Sequence, residues 1–135
     1  MNKQQKAYAQ AKARYEAALD AERAAEAKYI KRHDIRSDDG TQPRVLHAIE
    51  CSDERFDQIL QEIDESGELA EVYAERTEAG LALRKAEDEL IEYGLGLLPV
   101  KEAATLRRAK DRLQYREKII DLTFRLDTRT GRRRA

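Results

Sequence analysis

The chain has 135 residues, enough for one domain and few for two, with 41% hydrophobic residues, 39% charged residues and a formal net charge of −1. Two phenylalanines, no tryptophan and many alanines leave too little large apolar volume for a thick all-β core, and the wealth of Ala, Glu, Lys, Leu and Arg points to long helices. A single cysteine, Cys51, excludes an intramolecular disulfide, and no run approaches the ~20 apolar residues of a membrane-spanning helix.

The first ten residues, MNKQQKAYAQ, lack the apolar centre of a signal peptide, so the expectation is a soluble, cytoplasmic protein. Residues 3–33 hold neither Gly nor Pro and are rich in good helix formers. Tyr8, Tyr15 and Tyr29 recur at heptad positions with Glu22 completing the series, and Ala11, Ala18 and Ala25 follow three residues after Tyr8, Tyr15 and Glu22. The stripe is amphipathic but thin, which predicts a helix held by packing and a second copy of the chain as partner. Asp38, Asp39 and Gly40 end the pattern, giving a loop over 34–42.

Pro43 and the apolar Val45, Leu46 and Ile49 predict a short helix over 43–51. Ser52 is a good N-cap for a helix over 53–64, which turns Phe56, Ile59, Leu60 and Ile63 inward. The apolar register shifts at Gly67, predicting a break before a helix over 68–93. The stretch YGLGLLPVK then passes seven uncharged residues between Tyr93 and Lys101. Gly94 suits a left-handed C-cap and Pro99 a helix start, so a hairpin turn is predicted before one helix over 100–127. Leu95, Leu97 and Leu98 at that turn either plug the bundle or meet a protein partner. Leu98 is the expected plug, and Leu95, flanked by glycines, the expected exposed residue.

Motifs for chemistry are few. His47 and Cys51 stand four residues apart, but two His and one Cys fall short of a zinc site's ligand set. Gly94-Leu95-Gly96 lacks the preceding strand of a phosphate loop. The helix-turn-helix outline over 44–63 fails because its second helix is acidic and phosphates repel it. No enzyme activity, metal or cofactor is expected.

Charge is segregated along the chain: residues 1–33 carry +4, 34–100 carry −12 and 101–135 carry +7. This predicts basic ends packed on an acidic middle. Arg107, Arg108, Arg112, Arg125, Arg129, Arg132, Arg133 and Arg134 are candidates for nucleic-acid contact. Together these features predict one all-α domain over 1–128, an antiparallel helical bundle or coiled coil with a short helical insert, and a basic flexible tail over 129–135. The expected function is non-catalytic: an adaptor, assembly factor or inhibitor, of the kind a bacterium or phage encodes. It would bind a protein partner, with Leu95, Leu97, Leu98, Tyr8, Tyr15 and Tyr29 as candidate contact residues, and form a homodimer. The alternative is an accessory protein bound to nucleic acid through the arginines.

Overall fold

The computed structural model describes residues 1–109 and 113–127, and every regular element among them is helical. In chain order these are α1 (Lys3–Arg32), a 3-10 turn (Leu46–Ala48), α2 (Asp53–Ser66), α3 (Ala70–Leu95), α4 (Val100–Ala109) and α5 (Leu113–Asp127). The expected tail over 129–135 lies outside the described residues.

The helix ends follow local chemistry. Asn2 Oδ1 accepts from the Gln5 N–H at 2.8 Å while Gln5 Oε1 accepts from the Asn2 N–H at 3.1 Å, a reciprocal cap that opens α1. At its other end Asp34 takes a left-handed φ of 49°, letting the Ile35 N–H reach Ile30 O at 3.0 Å. Ser52 caps α2 by accepting from the Arg55 N–H at 3.3 Å. Gly67, at φ 68°, ends α2 in the left-handed conformation that glycine adopts without strain. Pro99 O accepts from the Ala103 N–H at 2.9 Å, so α4 starts immediately after the proline.

The chain divides into two compact units, one from residues 1–13 with 81–135 and the other from residues 14–80. Large apolar residues explain the division, because they cluster in two stretches of sequence, each of which builds a core. In the 14–80 unit, Tyr29, Ile30, Leu46, Ile49, Ile59, Ile63 and Leu69 are buried together. Here α1 and α3 run in opposite directions, since Arg32 meets Glu68 at 2.9 Å, Glu26 meets the Tyr73 hydroxyl at 2.8 Å and Glu22 meets Arg76 at 3.0 Å. The basic end and acidic middle thus pair as their charges predict.

The helix expected over 43–51 does not form. Only three residues turn there, because their backbone groups are used sideways. The Leu46 N–H donates to Glu26 Oε1 at 3.1 Å, the Glu50 N–H to Ser37 Oγ at 2.9 Å, and Glu50 O accepts from the Asp38 N–H at 2.8 Å. These bonds close the loop into a lid over its own core.

In the other unit Leu90, Ile91, Leu95, Ala103, Ile119 and Ile120 form the core. One straight helix over 100–127 would carry Thr123 about 35 Å from Val100. Instead Thr123 packs directly on Gly94, and Arg116 lies against Glu87 and Asp88. So α5 follows the end of α3 in the same direction, while α4 runs back along it with Arg107 3.5 Å from Glu92. This arrangement brings Ala103, Ile119 and Ile120 onto one core, which a straight helix cannot do.

Candidate functional site

The apolar turn after α3 packs on its own unit. Leu95 is 1% exposed, and Leu97 and Leu98 are half-buried. The expectation for Leu95 is therefore reversed. Gly94 is helical rather than a left-handed cap, so α3 runs on through Leu95, four residues after the buried Ile91 and on the same face. Three tightening bonds then turn the chain: Gly96 N–H to Glu92 O at 3.1 Å, Leu97 N–H to Gly94 O at 3.1 Å and Leu98 N–H to Leu95 O at 3.2 Å. Val100, just past the turn, is 85% exposed.

The three tyrosines differ in their surroundings. Tyr8 stacks at a tilt on Phe124, ring centroids 6.1 Å apart, and burial pushes its hydroxyl pKa up. Tyr15 packs over Gly80 in the 14–80 unit. Tyr29 is buried in that unit's core with its ring 4.2 Å from His33, so the free chain does not offer it to a partner.

Among the candidate arginines, Arg107, Arg108 and Arg125 are all exposed, and Arg107 pairs with Glu92. Arg112, Arg129, Arg132, Arg133 and Arg134 lie outside the described residues. Among the described residues no three His, Cys, Asp or Glu side chains gather as metal ligands. Cys51 packs against the core of the 14–80 unit, and His33 reaches Glu68 at 3.3 Å.

A groove formed by α4 and α5 is the feature that the sequence reading missed. It is lined by Leu106, Tyr115, Lys118, Ile119, Leu122 and Arg125. Lys118 Nζ stands 5.8 Å from the Tyr115 ring centroid, within cation–π range. The groove exists only because α4 and α5 fold onto each other, so no periodicity along one helix reveals it.

Arg116 holds this arrangement in place. Its side chain is 3% exposed, with Nη2 2.9 Å from Glu87 Oε2 and Nη1 3.0 Å from Asp88 Oδ1. The second contact is at ion-pair distance but misaligned for a hydrogen bond. Burial opposes the charge on Arg116, yet the two carboxylates overcome it and raise the guanidinium pKa. The position is legible in retrospect: Arg116 lies four residues before Ile120, on the inward face of α5. Comparison of the chain with protein-family models, curated proteins and solved structures found no match.

Proposed function

We propose that the chain is a non-catalytic interaction protein, an adaptor, assembly factor or inhibitor, that binds a protein partner through a helical surface. The α4–α5 groove supports this reading. Its floor is apolar, and Lys118 and Arg125 supply cations beside it. Such a groove suits a helical segment with an apolar face and an acidic margin, the helix-in-groove mode of recognition. Recovery of bound proteins from the native host tests it. Wild type should retain a specific protein that Leu122→Asp and Lys118→Glu both lose, with circular dichroism unchanged. Equal retention by all three sinks the groove.

A second reading, contact with nucleic acid, rests on the charge of the unit formed by residues 1–13 and 81–135. It holds 17 Lys and Arg against 9 Asp and Glu, a net of +8. This reading requires affinity that falls steeply with salt, with a shallower slope when Arg132, Arg133 and Arg134 become Ala.

Self-association also belongs to the proposal. Between residues 6 and 28 of α1 only Ala18 is buried, which leaves a long helix with little of its surface covered.

A further inference from the structure

The 14–80 unit is as acidic as the other is basic: 9 Lys and Arg face 18 Asp and Glu, a net of −9. Much of the excess lies on α2, which carries Asp53, Glu54, Asp57, Glu62, Asp64 and Glu65 against Arg55 alone. That arginine is engaged with Asp38 at 3.1 Å. The α2 face is also apolar. Leu60, expected inward, is instead 42% exposed, at the lip of a groove floored by Ile63, Leu69 and Tyr73. Leu69, Val72 and Tyr73 pack with Ile59 and Ile63 in the core cluster, and Leu60 lies outside that cluster.

Asp57, Leu60 and Asp64 follow one another at i, i+3 and i+7, so they share a stripe about 10 Å long. Both aspartates are exposed, and neither has a hydrogen-bonding or ion-pair partner among the described residues. The outer face of α4 presents the counterpart. Lys101, Ala104 and Arg108 have the same i, i+3, i+7 spacing, and all three are exposed. Neither cation has a side-chain partner among the described residues. One stripe thus carries a leucine between two carboxylates and the other a small alanine between two cations, at matching separation.

We infer that a second copy of this chain occupies the α2 face, with α4 of one copy laid on α2 of the other. The inference rests on the proposal that the chain self-associates, and it names the two faces that do so. Leu60 seats over Ala104, and each aspartate finds a cation. The contact is short, at the small end of specific interfaces, so its strength depends on charge and falls with salt.

Sedimentation velocity of the full chain at about 100 µM protein tests this in about 50 mM and about 500 mM salt. Wild type should associate in low salt and weaken by about tenfold or more in high salt. Asp57→Lys with Asp64→Lys should be monomeric, as should Lys101→Glu with Arg108→Glu. Mixing the two variants should restore association, because every α2–α4 pairing between unlike copies then joins opposite charges. All four sites are exposed, and the milder pair Asp57→Asn with Asp64→Asn should weaken association without a change in circular dichroism. A monomeric wild type in low salt overturns self-association itself. Variants that associate like wild type, or monomeric variants that mixing does not restore, overturn the α2–α4 contact and leave self-association to another surface.

Discussion

Gly94 sets how closely α3 and α5 approach. A methyl group there would overlap Thr123 Cγ2 outright, and Thr123 is buried and bonded through Oγ1 to Ile120 O at 2.6 Å, so it has little freedom to move. Gly94→Ala should therefore cost about 1–3 kcal/mol in urea unfolding, despite the better helix propensity of alanine. Adding Thr123→Ser, which removes the obstructing methyl, should return part of that loss. Additive costs would show that the two residues do not touch. Asp39 offers a second test at this scale. Hydrogen bonds from the Thr41 hydroxyl at 2.6 Å and backbone N–H at 3.0 Å hold its pKa below the usual aspartate value. A lowered folded pKa contributes stability above the ordinary aspartate range, and that contribution is lost as pH falls through the folded value. Carboxyl-carbon titration by NMR should show the Asp39 pKa rising in Thr41→Ala; an unmoved pKa would remove the hydroxyl as its cause.

At the level of elements, the cap at Ser52, the break at Gly67 and the helix start at Pro99 were legible, while the cap expected at Gly94 was not. Ser52, Gly67 and Pro99 act through their own backbone and nearest neighbours, so their residue types announce them. Elements decided by distant contacts were not. Residues 43–51 have the apolar content of a short helix, but Glu26 and Ser37 claim their N–H groups from outside the segment. Likewise Leu106, Leu113 and Ile120 keep heptad spacing through residues that the structure places in two helices, so the pattern reads as one. Leu113 is 74% exposed, which shows that the heptad stripe is not one buried seam. The turn after α3 gives the sharpest test of the corrected architecture. Leu95→Ala should destabilise by about 2–5 kcal/mol, as deletion of a fully buried leucine does. Leu97→Ala should cost under about 1.5 kcal/mol, because that side chain is half-exposed already. Thermal or urea unfolding of both variants would reverse the assignment if Leu97 proved the costlier.

For the whole molecule, the net charge of −1 conceals two units carrying +8 and −9. Each unit already pairs part of its own excess: Arg14 with Glu75 and Arg32 with Glu68 in the acidic unit, Arg116 with Glu87 and Asp88 in the basic one. The two exposed pairs, made by Arg14 and Arg32, contribute little stability, ~0–1 kcal/mol each, so their value lies in choosing which helices meet, whereas Arg116 is buried. The run of charges in the sequence showed the segregation, but the assignment of residues 1–13 to the basic unit required the fold. The α4–α5 groove likewise needed the fold, because its lining comes from two helices.

Hydrogen–deuterium exchange on the complex with the protein recovered from the host tests the groove most directly. Binding should slow exchange across α4 and α5, around Leu106 and from Tyr115 to Arg125, and Leu122→Asp should abolish that protection. Protection confined to the 14–80 unit, with α4 and α5 exchanging as in the free chain, would contradict the proposal that this groove holds the partner.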